Sequence, residues 1–196
     1  MIRRNSEFTV EPALHENIKL RMGLAGGPKT GKTRGALELA TYLAKRDGSE
    51  PSKTIVVIDA ENRSSLRLTK TSKQREGEFD FQVIHLTPPY SPERYIAAIH
   101  AAIEAGAEYV IVDGISQEWN GTGGSLERVD KVAASSKSGN SYTAWGEVTP
   151  AHNRFIDAII HCPVHIICTM RGKVQRVIEA GAVDRAFEID HITCHG

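Results

Sequence analysis

Gly26-Gly27-Pro28-Lys29-Thr30-Gly31-Lys32-Thr33 decides how this chain reads. The stretch fits the pattern G-x-x-x-x-G-K-[ST]. An apolar run, Ile18 to Leu24, leads into it, and a helix-like segment, Thr33 to Arg46, leads out. Strand, glycine-rich turn and helix in that order are the context in which this pattern cradles phosphates. Glycines let the backbone turn sharply and aim N–H groups at phosphate oxygens. The start of the helix adds a field that favours anions. Gly26, Gly27, Pro28, Lys29, Thr30, Gly31, Lys32 and Thr33, with Arg34 behind them, are therefore the candidate nucleotide-binding residues. Lys32 has the reach for β- and γ-phosphates, and the Thr33 hydroxyl suits Mg²⁺. ATP and Mg²⁺ are the ligands this predicts.

Outward from the loop, strands alternate with helices. Lys19 to Ala25 reads as the first strand. Helix one turns Ala36, Leu37, Leu39, Ala40, Leu43 and Ala44 inward and stops near Gly48. Thr54 to Ile58 is an unbroken β-branched run, as in a parallel strand buried on both faces. Phe81 to Leu86 is a third strand, and Ser91-Pro92 caps a helix through Ala105. Tyr109 to Val112 is a fourth strand, Thr149-Pro150 opens a helix through Ile160, and Val164 to Thr169 is a fifth strand. Val174–Glu179 and Val183–Ile189 pair as a hairpin around Ala180-Gly181. The expectation is an α/β P-loop fold with a mostly parallel five-stranded sheet, flanking helices and a short C-terminal β-hairpin. Residues 1–17 read as an arm, and residues 18–196 as one domain. Asn62 to Asp80 and Gly121 to Tyr142 resist this pattern and read as long polar loops.

With 24 Lys and Arg against 24 Asp and Glu, the formal net charge is zero, so any nucleic-acid binding must come from local patches. Cys162, Cys168 and Cys194 lack C-x-x-C spacing and read as reduced thiols of a cytoplasmic protein. His191, Cys194 and His195 cluster without an identifiable fourth metal ligand. The expectation is a chain with no membrane span.

A phosphate loop needs an acidic partner for Mg²⁺ at a strand end, and Asp113 stands there. Hydrolysis also needs a base or a residue that orients water. Glu61, at the end of Ile58-Asp59-Ala60-Glu61, is the first candidate, and Glu118 is the second. Thr169, ending the fifth strand, is a candidate for the γ-phosphate or the water. Asp59 reads equally as a supporting acceptor or a strand cap.

The phosphate loop, Ile58-Asp59-Ala60-Glu61 and Val110-Ile111-Val112-Asp113 together resemble the RecA-like recombinase core. Asp113 to Gly124, Thr143-Ala144-Trp145, Thr149 to Asp157 and His165 to Arg171 are similar to bacteriophage nucleotide-binding ATPases of the AAA/RecA-like type. Those proteins are linked to single-strand annealing and recombination. The resemblance covers residues 18–175 and implies that the glutamate after the second strand, Glu61, activates water. It also implies that the Val164–Thr169 strand lies between the phosphate-loop strand and the Asp113 strand, with Thr169 as a sensor beside the γ-phosphate.

Such cores bind DNA through loops that correspond here to Glu118–Tyr142 and Arg171–Arg185. These supply Arg128, Lys131, Lys137, Arg171, Lys173 and Arg176 for phosphates, and Trp119 and Tyr142 for stacking. Single-stranded DNA is thus the candidate macromolecular partner. A second copy of the chain is another, with Arg63 and Arg67 placed to act as an arginine donated between subunits. Two other readings stay open. One is a small-molecule kinase with Arg171, Lys173, Arg176 and Arg185 as a lid. The other is a nucleotide-sensing module that barely hydrolyses.

Overall fold

A computed structural model describes residues 18–70, 78–136, 141–179 and 182–189. For Ser141, residues 173–179 and residues 182–189 it describes the backbone alone. The arm at residues 1–17 lies outside the described residues, as do Lys137, His191, Cys194 and His195.

The strands are β1 (Arg21–Gly26), β2 (Ile55–Asp59), β3 (Gln82–His85), β4 (Tyr109–Asp113), β5 (His165–Glu179) and β6 (Ala182–Ile189). The helices are α1 (Lys32–Arg46), α2 (Pro51–Thr54), α3 (Pro92–Glu104), α4 (Ser116–Asn120), α5 (Ser125–Ser135) and α6 (Ser141–Ile160). The sheet order is β1-β5-β4-β2-β3, all parallel, with β6 antiparallel to the end of β5. This is the expected α/β P-loop core, and β5 lies between β1 and β4.

Alternation along the strands builds two cores. Val56, Ile58, Val110, Val112, Ile166 and Cys168 face α3 and α6, where Tyr95, Ile99 and Phe155 close the layer. Ile55, Val57, Tyr109, Ile111 and Ile167 face α1, against Leu37, Ala40 and Leu43. Strands buried on both faces carry apolar residues at every position, which is why β2 and β4 read as continuous runs. Burial pushes the Cys168 thiol up to about 12, so it is an inert core group.

Two expectations about the helices need correction. The stretch from Gly121 to Tyr142 is not one long loop, because α5 occupies Ser125–Ser135. Nor does α6 begin at Thr149-Pro150; it begins at Ser141 and carries Pro150 inside. The extra turns of α6 are held by tertiary packing, with Ala144 and Val148 buried against Val129 of α5. Proline costs an interior hydrogen bond to the residue four back, and that burial offsets it. The described residues of Asn62 to Asp80 include a 3-10 turn at Ser64–Leu68 and a bridge between Thr69 and Phe79. Among the described residues no helix is long and apolar enough to cross a membrane.

Candidate nucleotide site

The carboxyl ends of β1, β5, β4 and β2 stand side by side. Leu24 pairs with Thr169, Thr169 with Asp113, and Asp113 with Asp59. One row across the sheet therefore carries three polar residues, all buried. Ligands of open α/β sheets gather at this edge.

The phosphate loop leaves β1 at Gly26 and ends at Gly31, whose φ of 86° is in the left-handed region that favours glycine. Gly31 caps α1, and no acidic side chain sits in the first turn of that helix. The helix therefore brings no carboxylate of its own to the phosphate end. Lys32 Nζ donates to the carbonyls of Gly26 at 2.9 Å and Gly27 at 2.7 Å. The Thr30 hydroxyl donates to Gly27 O at 2.9 Å. Lys32 is therefore held over the loop, while Arg34 points away and pairs with Glu38.

Thr33 Oγ1 donates to the Asp113 carboxylate at 2.9 and 3.1 Å. Thr169 Oγ1 donates to Asp113 Oδ1 at 2.6 Å and accepts from Gly114 N–H at 3.0 Å. Burial holds the Asp113 carboxyl above its ordinary range. Hydrogen bonds from Thr169 and Thr33 oppose the shift, and the Glu61 and Asp59 charges add to it. This is a carboxylate short of positive charge. Among the described residues, no group of three or more His, Cys, Asp or Glu side chains could hold a metal alone. One carboxylate and one hydroxyl, completed by water and phosphate oxygens, suit Mg²⁺. Thr33 and Asp113 fit that ion.

Glu61 follows β2 and is placed by Asp59. The Asp59 carboxylate accepts from Glu61 N–H at 2.8 Å, from Ser65 N–H at 2.9 Å and from the Ser65 hydroxyl. Ala60 N–H donates to Asp113 O at 3.0 Å, tying the segment to β4. Asp59 is thus a buried clamp on the turn that presents Glu61. The Glu61 side chain lies over Gly114, where a Cβ would stand 2.7 Å from Glu61 Cγ. Its carboxylate pairs with Arg171 through both oxygens, at 2.9 and 3.0 Å.

A family model of the AAA domain matches residues 18–188. The chain belongs to that AAA-domain family. A search of curated proteins gave no match. The family is one of P-loop nucleotide-binding ATPases, and the loop, the strand-end aspartate and the sheet order of this AAA domain agree with that membership.

Not every candidate joins the site. Glu118 is buried among α4, α5 and α6. It accepts from Ser125 Oγ at 2.7 Å and faces His152 Nδ1 at 2.9 Å. Trp119 stacks on Trp145 and meets His152 edge-on, so it packs inside the same helical layer. Of the cations counted for DNA, Arg128 pairs with Glu93, Lys131 with Glu127, and Arg171 with Glu61. The Lys137, Lys173 and Arg176 side chains lie outside the described residues. Arg63 and Arg67 are exposed on the turn after Glu61. Sequence reasoning missed the Ser65 clamp and the Arg171 pair. A serine six positions after a strand-end aspartate was the available signal for the first, and the second had none.

Proposed function

We propose that this AAA domain is a Mg²⁺-dependent ATPase in which Glu61 activates the attacking water. The observation that carries the reading is the hydrogen-bonded row Thr33–Asp113–Thr169 beneath a lysine-bearing loop, with Glu61 beside it. Mg²⁺, when bound by Thr33 and Asp113, neutralises phosphate charge. Lys32 exchanges its loop carbonyls for oxygens of the transferring phosphoryl group. Backbone N–H groups of Gly26–Thr33 hold the remaining phosphate oxygens. Thr169 keeps Asp113 oriented and senses the γ-phosphate side. Glu61 accepts the proton of the attacking water, and Asp59 holds its backbone in place. Asp113, Asp59 and Thr169 are buried between the apolar layers, which strengthens the interactions made by those three.

The same proposal takes single-stranded DNA, in phage-type recombination or annealing, as the partner. Its support is positional. Strand β5 continues past Arg171, and its Gly172–Glu179 part pairs as a ribbon with β6, Ala182–Ile189, directly beyond the nucleotide site. Lys173 and Arg176 lie on that ribbon.

The test is an ATPase assay with and without single-stranded DNA across a salt series, on the parent, Lys32→Ala and Glu61→Gln. Lys32→Ala abolishes turnover. Glu61→Gln binds nucleotide no more weakly but turns over about a hundredfold or more slowly, the scale of lost general-base catalysis. DNA stimulates the parent at low salt, and the effect fades as salt displaces phosphate contacts. Full activity in Lys32→Ala refutes the site. Absence of any DNA effect at low salt refutes the partner and leaves the ATPase standing.

A further inference from the structure

We infer that Arg171, beside Thr169, lets this site distinguish a nucleoside triphosphate from a diphosphate by exchanging Glu61 for the terminal phosphate. The inference deepens the ATPase reading and rests on it.

Arg171 is Cα partner to Gly26, the first glycine of the phosphate loop. Its guanidinium spans from β5, past the end of β4, to Glu61 beyond β2. Both ends of this bridge are fixed at the backbone. Arg171 N–H donates to Ser116 Oγ at 2.9 Å, and Glu61 N–H donates to Asp59. The side chains themselves are not sunk in the core: Arg171 is 46% exposed and Glu61 22%. The bridge therefore has fixed posts and a movable span.

Its chemistry blocks the reaction proposed above. Both Glu61 oxygens already accept from the guanidinium, at 2.9 and 3.0 Å, so Arg171 competes with any attacking water for them. Water must reach a Glu61 oxygen for hydrolysis to start. Something has to draw the guanidinium off. A terminal phosphate is the group that competes best, since it offers the same two-point geometry and more negative charge. It would lie between the loop, which Arg171 borders, and Asp113, whose charge also acts on Arg171. A diphosphate lacks that group, so the Arg171–Glu61 pair persists with it. Arrival of the triphosphate thus frees Glu61 and places a cation on the phosphate in a single exchange.

Three measurements on the full chain test this, using a non-hydrolysable ATP analogue and ADP, each with Mg²⁺, by calorimetry. First, Arg171→Ala loses about tenfold or more of its analogue affinity, the scale of a charge-assisted contact, while ADP affinity changes far less. Second, Glu61→Gln binds the analogue several-fold more tightly than the parent, because Arg171 is no longer held; this gain disappears in the double variant. Third, Arg171→Lys restores part of the triphosphate preference. A merely structural Arg171 would lower both affinities together and leave the Glu61→Gln effect unaltered by the second substitution. An unchanged analogue-to-ADP ratio in Arg171→Ala overturns the inference. If that variant fails to fold, a Glu61→Gln protein no tighter for the analogue than the parent overturns it equally. A parent that binds neither nucleotide would instead sink the ATPase reading itself, which separates the two failures.

Discussion

Gly114→Ala bears most directly on the placement of Glu61, the side chain its new methyl would meet. Gly114 follows Asp113 with φ at 90°, a backbone state that costs an L-residue about 1–3 kcal/mol. Relaxation is restricted on both sides. Its N–H donates to Thr169 Oγ1 at 3.0 Å, and its carbonyl accepts from Tyr95 Oη at 2.9 Å, both buried. The new methyl would stand 2.7 Å from Glu61 Cγ and 3.3 Å from Oε1. Glu61 must therefore retreat by about 0.7 Å to reach ordinary contact at 3.4 Å. A displacement of that order at a reacting group costs about a hundredfold in rate. The prediction is a turnover loss of that size with nucleotide affinity little changed. Gly106→Ala is the matched control. Gly106 also has φ of 90°, but nothing lies within 4 Å of its added Cβ. Both variants should lose comparable stability in urea, and only Gly114→Ala should lose turnover. Equal turnover in the two variants, or a binding loss as large as the rate loss in Gly114→Ala, would refute the placement of Glu61.

Two further outcomes follow from buried carboxylates. Asp113→Asn should stabilise the nucleotide-free protein by about 0.5–2 kcal/mol at neutral pH while abolishing turnover, as substitutions in strained functional sites do. The sign comes from the raised Asp113 pKa. The folded state favours the protonated acid, so the ionised form costs stability as pH rises past 3.8, and the cost persists above the folded value. The variant's melting advantage should therefore widen from acid to neutral pH, and a gap independent of pH would contradict the assignment. Glu118→Gln should cost about 1–3 kcal/mol in urea unfolding, because Ser125 and His152 lose a charged acceptor. Turnover per folded molecule should stay at the parent level. If it is Glu118→Gln, and not Glu61→Gln, that keeps affinity and loses rate, the base belongs to α4.

Strand identities were legible because burial on both faces leaves a one-dimensional trace. Val56, Val57 and Ile58, or Val110, Ile111 and Val112, leave no polar position to confuse with a helix face. The phosphate loop was legible because its chemistry is local, contained in eight consecutive residues from Gly26 to Thr33. Helices α5 and α6 were not. Val129, Ala144 and Val148 make a small cluster between two helices, and neither helix announces it alone. The cap-then-proline signal at Thr149-Pro150 was real in type but fell inside a helix that tertiary packing extends upstream.

The acidic and basic residues of the site divide along the same line. Asp113 could be read because it ends a strand and Glu61 because it closely follows one, and strand ends are where ligands collect. Arg171 also ends the part of β5 inside the parallel sheet, yet its partner stands 110 positions away across an intervening strand. Only the order β5-β4-β2 makes that partner Glu61. The same composition on a different strand order would have left Arg171 in solvent, available to DNA as its position in the sequence suggested. The register also turns Thr169, Asp113 and Asp59 from three separate strand-end residues into one row. Within that row each has a distinct task. Asp59 fixes the turn that carries Glu61, Asp113 holds unneutralised charge beside Thr33, and Thr169 orients Asp113 while pinning Gly114. A substitution in one member therefore reaches the others through defined hydrogen bonds: Asp59→Ala should act on Glu61 directly, whereas Thr169→Ala should act on Glu61 through Gly114 and on Thr33 through Asp113.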